Sequence, residues 1–141
     1  MIRQDQLWQR VYKLVEHIYQ KVDELVADFP HEEWATASKL RNSANDTLFY
    51  VSQTVGSSAP ETSKYDINNA RKHLFAMQSM YTFAAKQKFI DLEPELIVEM
   101  DNILAELDTR TEESKKAIKD SNKEDLEPWM EKYRLWQKMQ G

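Results

Sequence analysis

Hydrophobic residues in the first part of the chain recur at alternating spacings of four and three, which is the period of one face of an α-helix. A strand would instead alternate at every second residue. This first seam consists of Leu7, Val11, Leu14, Ile18, Val22, Leu25 and Phe29. It predicts an amphipathic helix from about Gln4 to Asp28.

Three further seams follow, and each is separated from the next by proline or glycine. The second lies between Phe29-Pro30 and Gly56, and the fourth opens at Pro94, where a missing backbone N–H is tolerated. The second seam consists of Trp34, Ala37, Leu40, Ala44, Leu48, Val51 and Val55. The third consists of Ile67, Ala70, Leu74, Met77, Tyr81 and Ala84, and Phe89 and Ile90 close it. The fourth consists of Leu96, Met100, Ile103, Leu107, Ser114 and Ile118. Short connections favour antiparallel neighbours, so we expect an all-α fold, an antiparallel up-and-down four-helix bundle.

The last part of the sequence predicts a separate, short helix. Asp120-Ser121-Asn122 interrupts the fourth seam, and Pro128 opens a new amphipathic segment. We therefore divide the chain into a bundle over 1–123 and an amphipathic C-terminal helical tail over 124–141. Within the tail Trp129, Tyr133 and Trp136 lie three or four residues apart, so they share one helix face. Two interpretations stay open: this face caps the bundle, or it contacts a partner or another subunit.

The first helix carries more apolar surface than one seam requires. A second stripe runs beside the first and consists of Trp8, Tyr12, Val15, Tyr19 and Val26. One interpretation is that this helix is the most buried of the four and packs against two neighbours. The alternative is a subunit interface at Trp8, Tyr12, Val15 and Tyr19, because a tyrosine can bury its ring and keep its hydroxyl in water.

The composition narrows the class of protein. The 141 residues fit one domain, and two glycines and four prolines leave few turn signals for a strand-rich fold. Cysteine is absent, which excludes disulfides, thiolate metal sites and a cysteine nucleophile. The sequence has no apolar run that could span a bilayer and no signal-peptide core. We expect a cytoplasmic protein that has no contact with membranes.

Sequence motifs for catalysis and cofactor binding are missing. Di-iron bundles use Glu-x-x-His pairs, and none occurs at His17, His31 or His73. Glycine-rich phosphate loops, a Gly-x-Ser-x-Gly turn and a His-Glu-x-x-His helix are missing as well. The prediction is a protein that is not an enzyme and has no cofactor, catalytic residue or metal site.

The stretch from Phe29 to Ile90 resembles a known family. Its motifs are Phe29-Pro30-His31-Glu32-Glu33, Leu40-Arg41-Asn42-Ser43-Ala44, Ala70-Arg71-Lys72-His73-Leu74 and Phe89-Ile90. Their order and spacing are similar to those of the four-helix-bundle proteins encoded by intervening sequences of bacterial 23S ribosomal RNA genes, which are related to the accessory variability determinant of diversity-generating retroelements. The resemblance implies a non-enzymatic bundle, often a homopentamer, whose retroelement members bind nucleic acid and a reverse transcriptase.

Charge is distributed unevenly along the chain. Residues 61–90 are locally basic, residues 91–113 are strongly acidic, and the stretch that follows is basic again. Any contact with RNA or DNA is therefore expected at Arg71, Lys72, Lys86 and Lys88, with Lys115, Lys116 and Lys119 in support. The competing interpretation is that these cations pair with the acidic start of the fourth helix.

The net charge helps to decide between nucleic-acid binding and protein binding. A net charge of −5 argues against tight, nonspecific binding of nucleic acid, which depends on neutralising phosphates. We expect a non-catalytic oligomeric adaptor, with a pentamer suggested by the family resemblance. Its ligand would be a protein partner such as a reverse transcriptase, with RNA or DNA as a further ligand. The alternative is a structural or regulatory bundle that binds protein only.

Overall fold

The computed structural model describes the backbone of residues 5–28, 34–56 and 60–140, and their side chains except for residues 28, 60–62 and 121–135. Four helices occupy these ranges: α1 (Gln6–Asp28), α2 (Trp34–Gly56), α3 (Pro60–Lys86) and α4 (Pro94–Gln140). Within the described ranges there is no strand. The predicted all-α four-helix bundle is confirmed. Gln4 and the motif over residues 29–33 lie outside the described residues.

Each helix runs antiparallel to its neighbour, as contacts near its two ends show. Trp8 of α1 reaches Ser52 of α2, whereas Tyr19 reaches Asn45. On the other side of α1, Asp5 pairs with Arg110 of α4. Helices adjacent in sequence are adjacent in space, and α1 and α4 close the ring with the sparsest contact of the four.

The seams of α1, α3 and α4 form the core where the sequence predicts it. All six predicted positions of α3 are at most 1% exposed. The described seam positions of α1 are buried as well, and so are the first four of α4, Leu96 to Leu107. The two later α4 positions, Ser114 and Ile118, are half-buried.

The seam of α2 differs from its prediction. Trp34 is 69% exposed and does not belong to the core. Ser43, Thr47 and Thr54 are buried in this helix instead. Each hydroxyl donates a hydrogen bond to a carbonyl oxygen three or four residues earlier, with O···O distances of 2.7–3.0 Å. Because the helix itself satisfies these hydroxyls, they can be buried at little cost.

A tight turn connects α3 to α4. Lys88 adopts a left-handed conformation with φ of 63°. The Lys88 N–H donates to the Ala85 carbonyl, and the Phe89 N–H donates to the Ala84 carbonyl. These two bonds define a Schellman motif, which is usually closed by glycine. The buried Tyr81 hydroxyl accepts a hydrogen bond from the Glu93 N–H at 2.8 Å, and this contact fixes the start of α4.

The C-terminal tail is helical, as predicted, but it is continuous with α4. Asp120-Ser121-Asn122 causes no break, since none of the three residues is glycine or proline and their helix propensities are only mildly unfavourable. α4 therefore has 47 residues and is about 70 Å long, whereas α1, α2 and α3 have 23, 23 and 27 residues. None of the described helices has an apolar stretch long enough to cross a membrane.

Candidate interaction surfaces

The second stripe of α1 faces α2 within the same chain. The Trp8 indole N–H donates to Ser52 Oγ at 3.0 Å, and the Tyr19 hydroxyl donates to Asn45. Val15 is 5% exposed, and the Arg41 guanidinium lies over the Tyr19 ring. Packing of α1 against two neighbours thus accounts for most of the stripe. Tyr12 stacks on Trp8 and stays 43% exposed, so it is the member that a second subunit could reach.

Ion pairs connect α1 to α4. Arg10 Nε lies 2.8 Å from Glu99 Oε1, and Arg110 reaches Asp5 at 3.5 Å. Glu93 accepts two partners, because Lys21 Nζ lies 2.6 Å from one of its oxygens and His17 Nε2 lies 3.1 Å from the other. We call these four contacts the polar seam. A pocket of about 300 Å³ opens within it beside Leu14 and Leu96.

The pair at the centre of the polar seam shifts both of its pKa values. Burial alone would lower the pKa of Lys21, but the hydrogen bond to Glu93 and the charges of Glu24 and Glu93 raise it overall. The hydrogen bond from Lys21 lowers the pKa of Glu93, and the charges of Lys21 and His17 act in the same direction. Both groups are therefore held in their charged forms.

The structure divides the predicted nucleic-acid residues between two ends of the bundle. Arg71 and Lys72 lie near the middle of α3, opposite a point about a third of the way along α4, and the chain direction puts Lys115, Lys116 and Lys119 further along α4, away from the turn that joins the two helices. Lys86 and Lys88 lie at the opposite end, about 20 Å away along α3. The seven residues therefore do not form one patch.

Two of these cations already have acidic partners. Arg71 Nε lies 2.6 Å from Asp108 Oδ1 on α4, and Lys115 lies 3.4 Å from Glu112 within its own helix. Pairing with α4 is thus confirmed for Arg71. Lys72, Lys86, Lys88, Lys116 and Lys119 are exposed, and none of them makes an ion pair with another described residue. The Arg71–Asp108 and Lys115–Glu112 pairs are exposed, and an exposed ion pair contributes at most about 1 kcal/mol to stability.

The outer surface of α3 and α4 holds a feature that the sequence reasoning missed. A groove of about 620 Å³ lies between the helices, lined by Asn68, Arg71, Lys72, Phe75, Gln78, Asp101 and Leu104. A second groove of about 440 Å³ continues it past Phe75 to Phe83 and Lys86. Phe75 is 62% exposed and Phe83 47% exposed. We call this surface the α3–α4 face.

The sequence does contain a signal for this face. Lys72, Phe75, Ser79, Phe83 and Lys86 follow one another at spacings of three and four, which is a second helical stripe beside the α3 seam. Phenylalanine outside the core seam of a helix does not contribute to the core of the bundle. Two such residues on one stripe indicate an interaction surface.

The tail carries further exposed apolar residues beyond the bundle. Trp136 is 56% exposed and Met139 is 85% exposed, whereas the side chains of Trp129 and Tyr133 lie outside the described ones. An uninterrupted helix cannot reverse its direction, so residues 136–140 project away from the core.

The described residues contain no cluster of histidine, aspartate or glutamate that could hold a metal ion. The described residues form an α-helical bundle with exposed apolar residues on its surface. No family model, curated protein or solved structure matches the chain.

Proposed function

We propose that this chain is a non-catalytic, oligomeric adaptor that binds a protein partner through the extension of α4. The observation that carries the proposal is the length of that helix. Arg71 lies opposite Asp108, so antiparallel packing puts the first residue of α3, Pro60, at the height of about residue 119. The remaining residues, 120–140, extend about 30 Å past the bundle.

The extension of α4 exposes apolar side chains to solvent. Trp136 and Met139 lie three residues apart, on one side of the helix, and both are more than half exposed. The sequence spacing continues this side to Tyr133 and Trp129. Aromatic and methionine anchors at such spacings are how an amphipathic helix enters the apolar groove of a partner protein.

The family resemblance supports the same class of function. Bundles of the intervening-sequence and retroelement accessory type are non-enzymatic binding proteins, and the partner implied for this chain would be a protein such as a reverse transcriptase. Contact with RNA or DNA is a separable part of the proposal, carried by Arg71, Lys72, Lys86 and Lys88 with Lys115, Lys116 and Lys119. The alternative, a bundle that binds protein only, requires none of these residues.

The protein-binding part is tested with two matched tryptophan variants. The full-length chain, Trp136→Ala and Trp34→Ala are each crosslinked in cells, and the captured proteins are quantified by mass spectrometry. Trp34 is 69% exposed on the body of the bundle and is the matched control. We expect a defined set of proteins to be captured by wild type and Trp34→Ala and to disappear with Trp136→Ala. Equal capture by all three chains would contradict the proposal.

A truncation after Asp120 gives a second readout. The last buried α4 residue among those described is Leu107, so the melting temperature should change little while capture is abolished. A large fall in melting temperature would instead assign the tail a structural role.

The nucleic-acid part is tested by titrating labelled RNA at increasing salt. Changing Arg71, Lys72, Lys86 and Lys88 together to glutamine should weaken binding and flatten its salt dependence, by about one unit of logarithmic slope for each phosphate that is no longer neutralised. Absence of wild-type binding in about 50 mM salt would leave the protein-only adaptor.

A further inference from the structure

Two polar contacts fix the register of α3 against α4. Arg71 Nε lies 2.6 Å from Asp108 Oδ1, and the Gln78 side-chain N–H donates to Asp101 Oδ1 at 2.7 Å. Seven residues along α3 thus correspond to seven residues along α4 in the opposite direction. This register gives, for every residue on the α3–α4 face, its position along the bundle axis relative to α4. We call this position its height.

The two halves of the face carry opposite charges at equal heights. On α3, Lys72 and Lys86 are exposed and form no ion pair with another described residue. By the register, Lys72 stands within one residue of Asp108, whose carboxylate also pairs with Arg71 of its own chain. Lys86 stands at the level of Glu93, two residues after Asp91 in the turn before α4. The carboxylates of Asp91 and Asp108 are exposed. One half of the face is therefore basic and the other acidic.

The apolar residues of the face are paired in the same way. Phe75 stands at the height of Leu104, and Phe83 stands close to Val98, which is 56% exposed. A monomer leaves Phe75, Phe83 and Val98 about half in water. These residues lie between the two lysines on α3 and between the two aspartates on the other half.

We propose that the α3–α4 face pairs with the same face of a second copy about a two-fold axis parallel to the helices. Such an axis lays α3 of one copy over α4 of the other without changing any height. Lys72 then meets Asp108, Lys86 meets Asp91, and Phe83 meets Val98, each across the interface. A surface is self-complementary under two-fold symmetry only when its halves match in this manner.

The area available sets the expected strength. Residues 68–86 of α3 span about 27 Å, and two helices are about 20 Å wide, so each copy offers about 540 Å². The total of about 1,100 Å² lies just below the range of stable specific interfaces and within that of weak, transient ones. We therefore expect reversible dimers at micromolar concentration. The inference rests on the oligomeric part of the proposed function and not on the tail. It gives a dimer where the family resemblance suggests a pentamer, because a two-fold interface closes with two copies.

Sedimentation velocity on full-length protein tests the pairing with two charge-reversal variants. Lys72→Glu/Lys86→Glu makes both halves acidic, and Asp91→Lys/Asp108→Lys makes both basic. The second variant also removes the Arg71–Asp108 pair within each chain, so its urea denaturation is compared with that of wild type. Each variant alone should run as a monomer of 16.7 kDa, with a dissociation constant raised at least about a hundredfold, because like charges then face each other. An equimolar mixture should restore the dimer, because every contact in the mixed pair is complementary.

A matched control separates the interface from net charge. Lys13→Glu/Lys39→Glu reverses two exposed lysines on α1 and α2 and also takes the net charge from −5 to −9, and it should dimerise like wild type. Circular dichroism should show every variant folded. The proposal is overturned if wild type stays monomeric to about 200 μM, well above the micromolar range expected for this area. It is also overturned if the mixture stays monomeric. Dimers that survive both reversals but vanish in Trp136→Ala would assign self-association to the tail.

Discussion

The α2–α3 contact and the polar seam between α1 and α4 hold one bundle together by different physical means. On α2, Ser43, Thr47, Tyr50 and Thr54 follow at spacings of four, three and four, and the Tyr50 ring stacks on His73 of α3 at 5.4 Å. This stripe, whose members other than Tyr50 are small, therefore faces α3 and allows close approach. The polar seam uses charges on long side chains instead, and helices so connected need not touch closely.

The difference shows what each contact can tolerate. A close-packed contact depends on side-chain volume, since interiors have the density of organic crystals. A contact made of ion pairs depends on protonation and on having both partners present. Substitutions that change volume should therefore act on the first contact, and substitutions that change charge should act on the second.

Thr47→Leu should have the largest effect. Thr47 is fully buried on the α2 stripe, and the larger leucine side chain must displace neighbouring atoms to fit there. We expect the free energy of unfolding to fall by about 1–3 kcal/mol. Urea denaturation measures it. Thr47→Val is the matched control, because it keeps the volume and removes a hydroxyl that only its own helix satisfies. An equal loss in both variants would show that the hydroxyl, and not the volume, matters.

Glu93→Gln should destabilise the bundle by less, through the polar seam. The substitution leaves the buried Lys21 ammonium without its carboxylate at 2.6 Å. The pKa of Glu93 is lowered in the folded protein, so its contribution is present above the unfolded pKa, about 4.3, and is lost as the pH falls through the folded pKa. The stability difference from wild type should therefore be full at pH 7 and shrink below about pH 4. A constant difference down to pH 3 would exclude the ion pair as its source.

Asp66→Asn should act in the opposite direction, since this carboxyl is buried on the α3 side of the close-packed contact. Asp66 and His73 lie seven residues apart, on one side of α3. Burial raises the pKa of Asp66, so the ionised group costs stability above its folded pKa, and the cost disappears below the unfolded value of about 3.9. The variant should be more stable than wild type at pH 7 and equal to it near pH 3. Lower stability at pH 7 would show that the carboxylate has a stabilising partner.

Lys88→Gly should have the smallest effect. Lys88 lies in the turn that brings Glu93 to the polar seam, and we expect the free energy of unfolding to rise by about 0.5–1 kcal/mol. Lysine has a steric cost at φ of 63°, and glycine does not. Thermal denaturation measures the sign beside Lys86→Gly, which replaces the last helical residue of α3 and should lose stability because its backbone gains nothing from glycine. A loss with Lys88→Gly would mean that the side chain contributes more than the backbone costs.

The core of three helices was predictable because burial there follows hydrophobic periodicity alone. Every described seam residue of α1 and all six of α3 are buried. The same reasoning placed Trp34 in the core and overlooked Thr47, since hydrophobicity does not register that a helix can satisfy a threonine hydroxyl with its own carbonyl. The continuity of α4 was missed for a related reason. Asp, Ser and Asn favour helix ends but do not force them.

The surfaces were less predictable, because they depend on the register between helices. Arg71 and Lys72 are neighbours in sequence, yet only Arg71 faces Asp108. The partnership of Lys21 with Glu93 joins residues that are far apart in the sequence of the bundle, and no local pattern indicates it. The exposure of Phe75 and Phe83 was predictable, because both are aromatic residues of α3 that do not belong to its core seam.

The unbroken α4 also fixes the distance and rotation of its C-terminal end relative to the bundle. Because the same helix forms one wall of the bundle and carries Trp136, each residue between them adds about 1.5 Å of reach and about 100° of rotation. A partner bound at the end of α4, as proposed above, would therefore be held at a set distance and angle from the α3–α4 face. Lengthening the helix near residue 121 by seven residues would move the tip outward by about 10 Å with nearly the same phase, whereas two residues would turn it to the other side.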